Sequence, residues 1–244
     1  MSGVAGAAST DRAAGATIPP MAKRGLALAA LLVVSLLLGT PGALGSIATE
    51  RVEDFRSPAS FYQDWKIKKW VGVVSLDFES DGPTPFLRMR AQSSSWAFVR
   101  KVNVDLKERP CLTWSWRADV LPKGSDGRRN ETDDEAAQVY VFFPGKGLFG
   151  SLDNRIIGYT WEQAPEDGTL YTSPKNSNTK VFVLRNGKDG LGAWKQERRD
   201  VAADFERAFG EPAPKPLAVC FQIDSDDTRS TAQSDIADLA FRGR

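Results

Sequence analysis

Leu112-Thr-Trp-Ser-Trp-Arg-Ala-Asp119 alternates, with Leu112, Trp114, Trp116 and Ala118 on one face. A period of two is the side-chain repeat of a β-strand, and an apolar set on one face means that this face lies on a core. Trp114 and Trp116 are therefore read as core residues. The same pattern extends outward in both directions. Upstream, Phe86-Leu-Arg-Met-Arg-Ala91 sets Leu87, Met89 and Ala91 opposite Phe86, Arg88 and Arg90. Val73–Glu79 and Trp96–Val104 are further strands. Downstream, Ala137-Gln-Val-Tyr-Val-Phe-Phe143 is nearly all apolar and reads as a central strand covered on both faces. Ile156–Trp161, Lys180–Arg185, Leu217–Asp224 and Ile236–Phe241 complete the strands.

Gly, Pro, Asn and Asp separate these segments, as at Asp81-Gly82-Pro83. Many short strands with such breaks predict an all-β protein, a two-sheet β-sandwich of jelly-roll type. One short helix is expected to pack on it. Asp200 caps it, Val201, Phe205 and Phe209 recur every four residues, and Gly210 and Pro212 stop it.

The start of the 244-residue chain has a different character. Lys23 and Arg24 precede the apolar run Leu26–Leu38, and Gly39-Thr-Pro-Gly-Ala-Leu-Gly45 follows it. This is the basic, apolar and small-residue order of a secretory signal peptide. The run is shorter than the roughly 20 residues that cross a bilayer. Residues 1–45 are thus expected to be an N-terminal extension and signal, cleaved after Ala43 or Gly45, with no stable membrane insertion afterwards. Met21 is an alternative start to Met1. Residues 46–244 are expected to form a single β-sandwich domain in a protein exported to the periplasm or beyond.

Cleavage would remove Asp11, Arg12, Lys23 and Arg24, moving the formal charge from +1 to −1. Near neutrality gives no electrostatic basis for binding nucleic acid. The chain contains no histidine. That excludes Ser-His-Asp and Cys-His catalysis and His-ligated metals. Its two cysteines, Cys111 and Cys220, make either one disulfide or two free thiols.

Several pieces occur in a recognisable order: Cys111-Leu-Thr-Trp-Ser-Trp-Arg117, Thr132-Asp-Asp-Glu-Ala-Ala-Gln-Val-Tyr-Val-Phe142, Ile157-Gly-Tyr-Thr-Trp161, Glu197–Phe205, Phe209-Gly-Glu211 and Ile223-Asp-Ser-Asp-Asp-Thr228. The chain resembles, over most of Trp65–Phe241, the bacterial family called Domain of Unknown Function 3047. The resemblance implies a secreted β-sandwich without an assigned activity, and it supplies no catalytic residues.

Three constellations are candidates for function. The first is a pair of acidic clusters, Glu131, Asp133, Asp134 and Glu135 entering one apolar strand and Asp224, Asp226 and Asp227 leaving another. If they meet at one edge, Asp133, Asp134, Asp224 and Asp226 offer oxygen ligands to calcium, or they are neutralised by Arg117. Ordinary turn chemistry is the alternative. The second is catalytic. On a strand, Glu131, Asp133 and Glu135 point to one face at roughly 6.5 Å intervals, near the spacing of a retaining glycosidase. This looks like the Glu-x-Asp-x-Glu strand of jelly-roll glucanases, but Thr132 and Asp134 stand where those enzymes place apolar residues. The third is aromatic. Trp194, beside a Gly-rich loop, is the candidate for an exposed indole that stacks on a sugar, with Arg117 as a second ligand-binding residue. The resulting expectation is a non-catalytic protein binding a carbohydrate or other envelope ligand. A glycoside hydrolase-like enzyme and a structural or partner-interaction protein are the alternatives.

Overall fold

The computed structural model describes residues 49–145, 153–187 and 190–244. The expected signal segment lies outside them, and the described residues fall within the unit Leu44–Arg244. Thirteen strands and two α-helices are described. In chain order these are β1 (Thr49–Glu53), α1 (Pro58–Asp64), β2 (Lys66–Val71), β3 (Val74–Asp81), β4 (Thr84–Gln92), β5 (Ser95–Lys101), β6 (Cys111–Val120) and β7 (Ala137–Phe143). Then come β8 (Arg155–Glu162), β9 (Leu170–Thr172), β10 (Thr179–Asn186), β11 (Lys195–Asp200), α2 (Val201–Phe209), β12 (Ala218–Asp224) and β13 (Thr231–Arg242).

The strands form the expected two-sheet β-sandwich of jelly-roll type. Sheet A has the order β11-β6-β13-β4-β3, with β1 also paired to β13. Sheet B has the order β2-β5-β12-β7-β8-β10-β9. Pairing is antiparallel except between β8 and β10.

The core lies between the sheets and is strongly aromatic. Trp114 and Trp116 of β6 are buried and touch edge to face at 5.3 Å. Trp116 reaches Trp161 of β8 at 6.1 Å, and Trp114 reaches Tyr159 at 5.4 Å, so the stripe read in the sequence ties sheet A to sheet B. Fully burying side chains of this size contributes about 1.5–3 kcal/mol each. Helix α2 follows its expected cap chemistry. The Asp200 side chain accepts the Ala203 amide at 3.0 Å, and Gly210 ends the helix at φ +71°. Val201 and Phe205 are buried, and Phe205 meets Phe143 at 4.6 Å.

Four strands and one helix go beyond the sequence reading. β1, β2, β9 and β11 are short, polar or both, and each ends a sheet or pairs to part of a strand. Charged residues suit such edges because they oppose pairing with another chain. The extra helix, α1, has Ser57 as its cap and inserts Phe61 against Phe55, Trp65, Phe98 and Phe221. Cys111 and Cys220 are buried free thiols in different sheets.

Candidate functional site

Sheet B turns alternate residues outward. On β12, Val219, Phe221 and Ile223 are buried in the core, while Cys220, Gln222 and Asp224 face away from it. On β7, Gln138, Tyr140 and Phe142 face the same way, and so do Ser95, Ala97 and Val99 of β5. β7 is therefore not covered by a layer on both faces, as its apolar composition had implied. Its outer face is the floor of a groove of about 580 Å³. An adjoining hollow of about 650 Å³ shares Val99 and Phe142, so the depression continues along the sheet toward Asp64, Lys66 and Arg100.

Two residues set the shape of this floor. A Cβ on Gly158 would lie 2.6 Å from Tyr140 Cε1, so the glycine makes room for the phenol ring. Trp70 on edge strand β2 lines the groove and is 65 % exposed. Trp70, rather than Trp194, is the exposed indole. The Tyr140 hydroxyl donates to Gln138, and Gln222 Nε2 donates to Asp224 at 3.1 Å.

The two acidic clusters meet at one end of this groove. The Asp224 amide donates to the Glu135 carbonyl at 3.0 Å, which joins the strand ends. Carboxylate oxygens of Asp134, Asp224 and Asp226 lie within 4.8 Å of one another. Asp134 accepts from the amides of Asp227 at 3.1 Å and Thr228 at 2.7 Å, and from the Thr228 hydroxyl at 2.5 Å. Both its oxygens are thus committed to holding the β12–β13 turn. Asp133 turns aside to Lys175, whose Nζ lies 3.2 Å from it and 2.5 Å from Asp227. A calcium shell takes six to eight oxygens, and the committed Asp134 and diverted Asp133 fit a hydrogen-bonded clamp better. Burial, reinforced by Asp226, pushes the Asp224 carboxyl up to about 9.

Deeper in the same wall sits a carboxyl pair. Glu162, at the end of β8, accepts from the Tyr171 hydroxyl at 2.7 Å, the Thr160 hydroxyl at 2.8 Å and the Gly127 amide at 3.3 Å. Glu135 lines the groove and is only 3 % exposed, yet among the described residues no donor reaches its carboxyl. Burial raises it well above the ordinary carboxylate range, and Glu162, Asp133, Asp224 and Asp134 add to the effect. Glu162 is also raised by burial, against the pull of its three donors. A Cβ on Gly127 would lie 2.2 Å from the Tyr171 hydroxyl, 2.3 Å from Glu135 Oε1 and 3.1 Å from Glu162 Oε2. Three polar heads therefore close over one glycine.

Other expected site residues lie elsewhere. Residues Asn130–Thr132 form a 3₁₀ turn and Asp133–Ala136 are not strand, so Glu131, Asp133 and Glu135 do not share a strand face. The backbone makes turn bonds instead: Asp126 N–H donates to the Thr132 carbonyl at 2.8 Å, and Thr132 N–H to that of Arg129 at 3.1 Å. Glu131 is exposed, whereas Asp133 and Glu135 both reach the groove. Arg117 and Trp194 are together but on the outside of sheet A, with the guanidinium 4.8 Å from the indole. Arg117 Nε also donates to the fully buried Asp235 at 2.9 Å, and Trp194 Nε1 to Asp81 at 2.9 Å. The cation in the acidic cluster is therefore Lys175, not Arg117. Glu162 and Tyr171 escaped the sequence reading because no motif or spacing marks them. Trp70 escaped because its strand, Lys66–Val71, carries too many lysines to show an apolar face.

A family model described as "Protein of unknown function (DUF3047)" matches residues 62–240. No curated protein matches the chain. Among solved structures, it is similar to the family 11 carbohydrate-binding module of a Clostridium thermocellum cellulosomal cellulase. The identity is 8 %, with 82 % of this chain and 96 % of that chain covered and a TM-score of 0.44. A second is the xyloglucanase domain of a Sinorhizobium fredii type three effector in complex with cellobiose. There the identity is 8 %, with 74 % and 93 % covered and a TM-score of 0.41.

Proposed function

We propose that this chain, which belongs to the DUF3047 family of proteins of unknown function, binds an extended glycan along the outer face of sheet B. The observation that carries this reading is Trp70, a largely exposed indole on the wall of a long groove. An exposed aromatic ring costs solvation unless a flat apolar surface covers it, and the face of a sugar ring is such a surface. The neighbouring Gln138, Tyr140, Gln222, Ser95, Asn176 and Thr179 carry the hydrogen-bonding groups that hydroxyls need. A groove with apolar floor patches and a few polar groups is the usual build of a ligand site.

The reading is non-catalytic. Export supports it from the other side: the basic, apolar and small-residue order of Lys23–Gly45 would deliver the protein to where glycans are. Titration calorimetry of the full chain with a panel of neutral β-linked hexasaccharides tests the proposal. We expect one or more to bind, with at least a tenfold loss in Trp70→Ala. A folded protein that binds none of them, or a Trp70→Ala variant that binds equally well, would overturn it.

A further inference from the structure

Among the described residues that line the groove, the Glu135 carboxyl is the one the fold leaves unexplained. It is nearly completely buried, it opens on the groove, and no protein donor among the described residues reaches it. Glu162 beside it has three donors and Asp134 beyond it has three. A buried polar group without a partner is costly, and native proteins rarely leave one. We infer that Glu135 receives the ammonium group of an amino-sugar unit when a glycan lies in the groove. This rests on the glycan-groove reading and names the substrate class for it.

The charges around Glu135 favour a cation. Glu162 on β8, Asp133 and Asp134 on its own segment and Asp224 on β12 all bear on it. Tyr140 on β7 and Tyr171 on β9 flank it. The cations lining the same groove are Lys68 and Lys175, and Lys175 is engaged by Asp133 and Asp227. A carboxylate-bearing sugar would be repelled. A neutral hydroxyl supplies one donor, whereas an ammonium supplies three donors and a charge. The chain uses this solution a few residues away, where the Lys175 ammonium bridges Asp133 and Asp227. On binding, Glu135 gives its proton to solvent and the ligand's ammonium takes its place.

Calorimetry of the full chain with three probes tests the inference: a β-1,4-linked glucosamine hexasaccharide, its N-acetylated counterpart and a neutral glucose hexasaccharide. At pH 6 we expect the glucosamine form to bind at least tenfold tighter than the acetylated form. Glu135→Gln should bring this ratio to about one. At pH 9, where the amine has lost its charge, the wild-type preference should vanish, which provides a reading independent of whether the variant folds. Equal affinities for the three probes at pH 6 would overturn this inference and leave the groove reading in place. No binding of any probe would overturn both. A preference that survives Glu135→Gln would place the ammonium elsewhere, and calcium chloride alone binding in wild type but not in Glu135→Gln would make the partner a metal ion; either result overturns the inference.

Discussion

The amide of Asp224 donates to the carbonyl of Glu135 at 3.0 Å. It extends the antiparallel pairing of β7 with β12 past the end of the ladder. That pairing is why two acidic clusters far apart in sequence face one another. It also explains why their carboxylates need internal partners, since like charges brought together in a low-dielectric wall resist ionisation.

Asp134 has three such partners, all in the β12–β13 turn. Its removal leaves the Asp227 and Thr228 amides and the Thr228 hydroxyl without their acceptor. Asp134→Ala should destabilise the fold by at least about 1–3 kcal/mol, the cost of leaving a buried donor unsatisfied, as read by urea denaturation. EDTA should leave the wild-type melting temperature unchanged. A fall on chelation that calcium reverses would mean that a bound ion, not the turn, holds the cluster.

The groove carboxyls make stability depend on pH in a defined direction. Asp224 is raised to about 9, and Glu135 and Glu162 are raised by burial. The folded state therefore holds protons that the unfolded state has already released above roughly pH 4. The stability these groups contribute should be fully present below that value and be lost as pH rises toward 9, because fewer protons are bound in the unfolded state. The urea midpoint of wild type relative to Glu135→Gln should therefore decline across this range. A rising difference would contradict the assignment.

Gly127 is the tightest point in the same wall. Gly127→Ala places a methyl within 2.3 Å of two oxygens. A loss of about 1–3 kcal/mol is expected from overpacking. Tyr171→Phe removes the nearest of those oxygens, so the double variant should lose less than the sum of the singles. Strict additivity in chemical denaturation would show that the three heads do not meet there.

Trp70 supplies the contrasting case. Its ring is mostly in solvent, so Trp70→Ala should change stability by no more than about 0.5 kcal/mol. Thermal melts and glycan titrations on the same preparation separate the two effects. A large fall in melting temperature would make Trp70 a structural residue.

The sequence made the sandwich legible through its alternating strands. Leu112, Trp114 and Trp116 point inward as their spacing requires, and Val201 and Phe205 seat α2. The edge strands were hidden because Lys66-Ile-Lys-Lys-Trp-Val71 and Lys195-Gln-Glu-Arg-Arg-Asp200 carry charge where a buried strand shows its period. The meeting of Asp134, Asp224 and Asp226 was legible because both clusters flank apolar strands, and such strands pair centrally. Glu162 was not, since its role depends on which residues lie across β7 and β9. Arg117 was misassigned because alternation gives the face of a side chain but not which sheet carries the site; Asp235 on neighbouring β13 claims it.

Strand β13 pairs with β6 on one side and with both β4 and β1 on the other. It stands at the centre of sheet A, yet it is the last of the thirteen strands in chain order. β1, β4 and β6 therefore wait, without their central neighbour, until some 200 residues of polypeptide have emerged. Such long-range closure makes assembly slow. A chain built this way stays pliable through most of its synthesis and sets only when its last strand arrives.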